Sequence, residues 1–562
     1  MAWKKRGNAR NITEVIKEIS RLTLSEVDSP IHIPSENIIG MDELGNLILK
    51  AVEEQIPVTI VGDYDADGIT STSILWFLLR YLGITPHIRL PRRYTEGYGL
   101  SDKVIEEINE GIVLTVDNGI AAISQIQRAK DKGLIVAVLD HHLPGEELPQ
   151  ADIVVDPHIA PDQSDFVDYC GAGLAYKLAQ LLVDDNEFLD RMCALAAIGT
   201  VADVVPLIGD NRAIVKEGLR HINRHVVPVG LLALLNVVGA YKVDEQTIGF
   251  TVGPLLNAPG RMKDNGAMQS LEMLITEDYA EAEEKAYSLI EVNNQRKDLL
   301  KEGLARAHGI LKNSGKESSN PICIYDPELL AGLAGLVAGR LAEEYKTPAI
   351  VLTKAEGNLM KGSARSYGDV HLKQLLDQAK EYMGGYGGHA GAAGLSLSAG
   401  NFEKLSERLE ELLQGYIRPD GSTVFYDLDI AVDDIPKTLD DLERYAPFGE
   451  ANPRPVLRID QVMLLPQAGK LYRTMGDNEE HIRLLSKDFS VIGFNMTESY
   501  MRLGEPKVIN VLGFLSRTSF MGNDRQELEA IIFEEGETRT EKNTELQKQM
   551  LLHLFRFAEG GK

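Results

Sequence analysis

Cysteine, long apolar runs and positive charge are all scarce in this chain of 562 residues. The three cysteines, Cys170, Cys193 and Cys323, stand far apart and form no CxxC pair. They read as reduced core residues of a cytoplasmic protein rather than as a disulfide or thiolate-metal framework. No apolar stretch reaches bilayer length, because the best candidates are broken by Asn236 or Asp203, so no membrane role is expected. The opening residues MAWKKRGNAR are charged and lead into no apolar segment, which argues against a secretory signal. A formal net charge of −26 would repel phosphates at long range, so any nucleic-acid contact has to be a local basic groove. Two stretches offer one, Lys4 to Arg10 and Arg89 to Arg93, although a basic cluster is commonly just a solvated face.

With 44% hydrophobic and 25% charged residues the composition is that of a soluble globular protein, and the length calls for three or four domains. Residues 1–45 read as a lead-in. From 46 to 276 short β-branched runs at 57–62, 86–90, 112–116, 134–139 and 152–155 alternate with helical stretches, then give way to apolar helices, which predicts a parallel sheet covered on both faces. Residues 277–320 form a long charged helix and a loop, a strut between lobes. A smaller α/β unit follows at 321–418, with strands at 322–325, 348–353, 359–364 and 393–397. Short strands and turns from 424 to 536 suggest an OB-like β-barrel, and 537–562 ends in a helix at 540–556. The expected fold class is therefore α/β, two α/β units joined by a helix, with a β-barrel appended.

The chain is organised around Val58 to Ser73, VTIVGDYDADGITSTS. A buried strand stops at a glycine and is followed by Asp63, Asp65 and Asp67, then by a bend at Gly68 and a helix from Thr70 to Leu82. Carboxylates at a strand end lie where open α/β sheets bind ligands. Like charges this close repel unless they are protonated or bridged, and hard oxygen ligands suit Mg²⁺ or Mn²⁺. The bland alternative is an acidic surface turn.

Other strand ends repeat the design. LTVDNGI delivers Asp117, VLDHHLP delivers Asp140, His141 and His142, and GTVADVVPL leaves Asp203 in an apolar helical stretch where an unpaired charge would be costly. Singly these are turn formers or ordinary histidines. Jointly, parallel strands bring their ends to one crevice. Asp63, Asp65, Asp67, Asp117, His141 and Asp203 would form two divalent-ion sites about 4 Å apart, an arrangement that activates water for in-line displacement at phosphorus. No cysteine is expected near the site, which favours Mn²⁺ or Mg²⁺ over a thiolate-type zinc site.

Those four blocks resemble the motifs of the DHH phosphoesterase superfamily in its RecJ form. PRRYTEGYGLS at 91–101, GPLLNAPGRM at 253–262, GSARS at 362–366, GGYGGHAGAAGLSL at 384–397 and YAPFGEANPRPV at 445–456 extend the likeness over residues 40 to 535. The resemblance implies a DHH catalytic domain, a DHHA1 domain and an OB domain, and a single-strand-specific 5′-to-3′ exonuclease of DNA repair and recombination using Mn²⁺ or Mg²⁺. It implies metal ligation by Asp63, Asp65, Asp67, Asp117, His141 and Asp203, orientation of His141 by Asp140, and His142 beside the scissile phosphate. Arg93, Asn257, Arg261, Ser363, Arg365 and His389 would bind substrate. Single-stranded DNA, single-strand-binding protein and a RecQ-type helicase are the implied partners.

Three positions depart from the common family residues: Val61 and Leu330 replace histidines and Leu255 replaces an arginine. Asp63 would compensate for the first, while the other two would touch substrate contacts. The alternatives are a DHH phosphodiesterase acting on oligoribonucleotides or small nucleotides, which gives the residues after 424 no use, and a non-catalytic replication or repair scaffold, which gives no reason to keep the full acidic set.

Overall fold

A computed structural model describes residues 1–466, 469–476, 478–520 and 523–536. The expected terminal helix at 540–556 lies outside the described residues.

The first α/β unit holds five parallel strands in the order His87–Arg89, Val58–Val61, Ile112–Val116, Ile135–Leu139, Ile153–Val155. Val58, Ile60, Ile112, Leu114, Val136 and Val138 are all fully buried. Such two-faced burial is what continuous β-branched runs encode. The register pairs Val61 with Thr115 and Val116 with Leu139, so the carboxyl ends of the three central strands lie level. Helix Ala66–Tyr81 packs on one face of the sheet, and helices Gly171–Leu182, Asn186–Ala202 and Gly253–Met262 pack against that helix.

The helix expected from Thr70 begins earlier, at Ala66, and Asp65 caps it by accepting a hydrogen bond from the Gly68 amide at 3.0 Å. Gly68 therefore sits in a helical first turn and not in a bend. A Cβ there would come within 2.6 Å of Asp63 Cβ, so the glycine serves close approach rather than turning.

Helix Tyr279–Ser314, 36 residues long, joins the lobes. Ala286 and Leu289 belong to the first core, whereas Ala307 and Leu311 pack with the second unit. At about 1.5 Å per residue it spans about 54 Å. The second unit is a five-stranded mixed sheet ordered Gly385–Gly388, Ala392–Ser398, Leu359–Arg365, Ala349–Lys354, Ile322–Tyr325. Its first strand was not predicted, because GYGG has no β-forming side chain except Tyr386 and is held as a strand by its hairpin partner.

The third unit is a seven-stranded sheet running Leu428–Ile430, Leu457–Met463, Val508–Phe520, Asn523–Glu535, Ser490–Gly493, His481–Leu485, Tyr472–Met475. The N-terminal residues belong to it: Ala2–Lys5 pairs in parallel with Thr423–Tyr426, and Ile12, Val15 and Ile16 enter its core. Only the later part of the supposed lead-in, helix Met41–Glu54, covers the first sheet, and it runs across the boundary expected at 45/46. No helix among the described residues is long and apolar enough to cross a membrane.

Candidate metal centre

Every carboxylate predicted at a strand end reaches one crevice. Asp117 leaves its strand with φ +60°, a conformation uncommon for a residue other than glycine. Asn118 holds that turn by donating to the Val61 carbonyl at 3.0 Å and the Val116 carbonyl at 2.8 Å, which stitches two strand ends together. Candidate ligand atoms fall into three overlapping groups, each within 4.8 Å: Asp63, Asp65 and Asp117; Asp67, His141 and Asp203; and Asp117, Asp140, His141 and His142. His141 Nε2 is the hub, 3.0 Å from Asp117 Oδ1, 3.8 Å from Asp67 Oδ2 and 3.7 Å from Asp203 Oδ2.

Asp67 is fixed by the N-terminus of helix Gly171–Leu182, whose Gly171 and Ala172 amides donate to its two oxygens at 2.6 and 2.9 Å. Two glycines make room for this. A Cβ on Gly171 would lie 2.7 Å from Asp117 Cβ, and one on Gly199 would lie 2.5 Å from Asp67 Oδ1. No motif in the sequence flags Gly171, whereas Gly199 opens the GTVADVVPL block that carries Asp203.

Asp140 corrects one expectation. Its Oδ1 accepts from the His141 and His142 amides at 2.8 and 3.3 Å and lies 2.8 Å from His142 Nδ1, while Oδ2 accepts from the Ile120 amide at 2.9 Å. It thus orients the ring of His142, not that of His141. A carboxylate folded over the next two amides meets the side chain two positions on, since the intervening one points into the metal crevice. A backbone hydrogen bond with Tyr169 acts on the His141 ring instead.

Burial and mutual repulsion raise the carboxyl pKa values. Desolvation, then the Asp65 charge, push Asp67 up to about 6 and Asp63 upward as well. Burial followed by the Asp67 charge does the same to Asp117 and Asp203. Burial and the neighbouring His142 charge lower His141 to about 3, leaving a neutral imidazole able to ligate. His142 goes the other way: burial opposes its charge, but the Asp140 hydrogen bond raises it to about 9. Asp63 Oδ1 is buried with no hydrogen-bond partner. A crowd of oxygens that resist joint ionisation, an orphaned carboxylate oxygen and one neutral imidazole fit hard divalent cations.

A cysteine does stand close by, contrary to the sequence reading. Cys170 hydrogen-bonds Asp67, but burial raises its pKa well above the usual thiol range, so it stays a thiol and supplies no thiolate ligand.

The predicted substrate residues divide. Arg93 stacks 4.4 Å over the Tyr64 ring, and the Arg365 guanidinium lies against Gly335 beside Ser363. Burial and the Arg93 charge lower Arg261 to about 10, with Arg296 and Arg365 adding to the same positive field. Arg296, on the long helix, was not predicted; nothing distinguishes it in sequence from the solvated charges around it. It lines a pocket of about 170 Å³ with Arg261 and Asn257. Asn257 also accepts the Ala66 amide at 2.9 Å, so it caps the helix that carries Asp67. His389 is exposed and lines a cavity of about 710 Å³ whose opposite wall carries His142 and Tyr98. Tyr98, also not predicted, donates to the Asp117 carbonyl at 2.9 Å and sits 3.2 Å from His142 Nε2.

The two basic stretches are largely neutralised. Arg89 pairs with Glu96 at 2.6 Å and Glu107 at 2.7 Å, Lys5 with Asp429 at 3.4 Å and Arg6 with Asp427 at 3.1 Å. Of the second stretch Arg93 does join a local positive groove, with Arg261, Arg296 and Arg365 from outside both stretches. Of the three departures, Val61 and Leu255 lie in apolar cores and only Leu330 is exposed. Leu255 therefore removes no group from the crevice.

Comparison with known proteins agrees with this layout. The family model described as DHH family, N-terminal domain matches residues 57–200, the DHHA1 domain matches 322–415 and the RecJ OB domain matches 426–532. The single-stranded-DNA-specific exonuclease RecJ of Bacillus subtilis is 32% identical over 524 residues, which cover 91% of this chain and 65% of that protein. This chain thus spans about two thirds of the length of that relative. The Haemophilus influenzae protein of the same name is 32% identical over 511 residues, with 85% of each chain covered. Among solved structures, RecJ of Thermus thermophilus in complex with Mn²⁺ superposes with a TM-score of 0.75 at 28% identity, covering 96% of this chain and 80% of that one.

Proposed function

This chain belongs to the RecJ family of DHH proteins, and from that footing we propose that it hydrolyses single-stranded DNA from the 5′ end, releasing mononucleotides in repair and recombination. The observation that carries the reading is the convergence of Asp63, Asp65, Asp67, Asp117, Asp203 and the neutral His141 on one crevice.

Two divalent cations, Mn²⁺ or Mg²⁺, would supply water activation and charge stabilisation on the attacking and leaving oxygens. The chain's own groups do the rest. His142, positively charged and locked by Asp140, faces the cavity and donates a hydrogen bond to a phosphate oxygen. Arg93, Arg261, Arg365 and Ser363 grip the terminal 5′ phosphate, which sets polarity, and the Gly-rich hairpin with His389 closes the opposite wall. The passage between the lobes admits one strand, and the seven-stranded sheet holds the strand upstream. Recruitment by single-strand-binding protein or a RecQ-type helicase belongs to the same reading. So does a cytoplasmic location, supported by three buried free cysteines.

The deciding experiment offers 5′-labelled and 3′-labelled single strands, duplex, RNA and dinucleotides side by side, with Mn²⁺ or with chelator. Mononucleotides from the 5′ end of single-stranded DNA, lost in chelator, are expected; preference for dinucleotides or RNA, or no turnover, would overturn the proposal. Replacing Asp117 by Ala is expected to reduce release to background with the circular-dichroism spectrum unchanged. Release at the parent rate would show that Asp117 holds no essential ion.

A further inference from the structure

The run Gly209–Arg212 and the turn Tyr445–Asn452 of the third unit have no part in that chemistry, yet Asp210, Asn211, Arg212, Tyr445 and Asn452 are deeply buried. Asp210, Asn211 and Arg212 are each 1% exposed or less, and they open helix Gly209–Ile222. Buried polar side chains persist only where partners satisfy them, so their partners say what the run is for.

Two of the three reach toward the metal centre. Asp210 Oδ2 accepts from the Tyr169 hydroxyl at 2.6 Å and pairs with Lys177 Nζ at 3.1 Å. Asn211 Nδ2 donates to the Asp168 carbonyl at 2.5 Å. The clamped segment, Asp168 to Ala172, is the one whose Gly171 and Ala172 amides hold Asp67 and whose Tyr169 backbone holds the His141 ring.

The third residue reaches the opposite way. Arg212 donates to the carbonyls of Tyr445 at 3.0 Å, Ala446 at 2.8 Å and Pro447 at 3.3 Å. Asn452 secures the same turn from within, donating to the Tyr445 and Pro447 carbonyls at 3.0 and 2.9 Å. The Leu207 amide donates to the Glu450 carbonyl at 2.9 Å, only four residues after Asp203. Three consecutive side chains, with the Leu207 backbone amide, thus link the third unit to the segments that carry or support three candidate ligands.

We propose that Leu207–Arg212 is a tie between the third unit and the metal centre, with Asp210 and Arg212 as positioning residues for Asp67, His141 and Asp203. The third unit then sets how firmly the centre holds its ions, in addition to gripping DNA. The inference rests on reading those three residues as ligands of divalent cations.

The test uses the full chain and titrates Mn²⁺ by calorimetry, with thermal unfolding recorded for each variant. Arg212→Lys keeps the charge but loses the planar fork that spans three carbonyls, and Tyr169→Phe removes one hydroxyl at constant volume. Each is expected to weaken Mn²⁺ about 10- to 100-fold, the usual effect of losing a partner that orients ligands. Because both lie on one path, the double variant is expected to be no weaker than the worse single one. Leu341→Ala, in the core of the second unit, is expected to lower the melting temperature with Mn²⁺ affinity unchanged. Mn²⁺ affinity in Arg212→Lys within twofold of the parent, or losses that multiply in the double variant, would overturn the tie. Absence of Mn²⁺ binding by the unsubstituted chain would instead remove the metal reading, and the tie with it.

Discussion

His141 and His142 are neighbours with opposite proton affinities, one lowered to about 3 and the other raised to about 9. The difference is one of partners: His141 is buried beside a charged imidazole, while His142 keeps its proton against Asp140. Replacing Asp140 by Asn leaves the burial of His142 opposed only by the charges of Asp203 and Asp63, so the alkaline limb of the activity profile, expected near the loss of that proton at about 9, should move to lower pH. An unmoved limb would deny His142 its charged role. Asp67, raised to about 6 by burial and by Asp65, gives a second pH prediction. Without metal it binds its proton more tightly folded than unfolded. Its contribution to stability is therefore complete below the ordinary value of 3.8 and is lost as pH rises through about 6. A divalent ion takes the proton's place, so the rise in melting temperature on adding Mn²⁺ should grow between about pH 5 and about pH 8, and calorimetric scans at both would check it. An equal rise at both would mean that no protonated carboxylate is displaced.

Helices reach the centre only where glycine lets them. Gly199→Ala would put a Cβ 2.5 Å from both Ala172 Cβ and Asp67 Oδ1. Neither neighbour is a flexible side-chain end, so the overpacking should cost about 1–3 kcal/mol of stability and weaken Mn²⁺ binding; denaturant unfolding and a metal titration would read the two effects separately. This is also where the sequence stops being legible. The strands could be read because β-branched runs are long enough to be buried on two faces and all but the one at 86–90 run into an acid. Asp63, Asp117 and His141 could be brought together because parallel strands share a carboxyl end, and Asp203, at the end of helix Asn186–Ala202, because an acid in an apolar stretch needs a partner. The start of the helix at Ala66 could not be read, since Asp-Ala-Asp-Gly has turn chemistry and only the approach of Asp63 explains Gly68. Arg296 and the support at Gly171 were hidden, because each acts through a residue distant in sequence and its own neighbours show no motif; Tyr98 and Gly199 stand inside the PRRYTEGYGLS and GTVADVVPL blocks, but a block does not say which of its members meets a distant partner. Asp140 was placed with the wrong histidine for a related reason: sequence gives adjacency but not the side to which each ring turns.

At the scale of the whole molecule, a net charge of −26 surrounds a groove in which Arg93, Arg261, Arg296 and Arg365 share one positive field. Their fields reinforce, since the Arg93 charge helps lower the pKa of both Arg261 and Arg365. Such an arrangement is tolerable when phosphates occupy it, and the surrounding acidity confines the phosphates to it. Binding should then depend on salt in a limited way. Single strands lose affinity with a log–log slope of about −0.7 per phosphate neutralised, so four arginines predict a slope of about −3 that does not steepen once the strand fills the groove. Replacing Arg365 by Ala should make the slope shallower by about 0.7, whereas replacing Arg89, already paired with Glu96 and Glu107, should leave it unchanged. Fluorescence anisotropy of labelled single strands of increasing length, in Ca²⁺ to prevent hydrolysis, would measure both. A slope that steepened with every added nucleotide would mean that the strand is held along an extended surface, and one indifferent to Arg365 would mean that its guanidinium meets no phosphate.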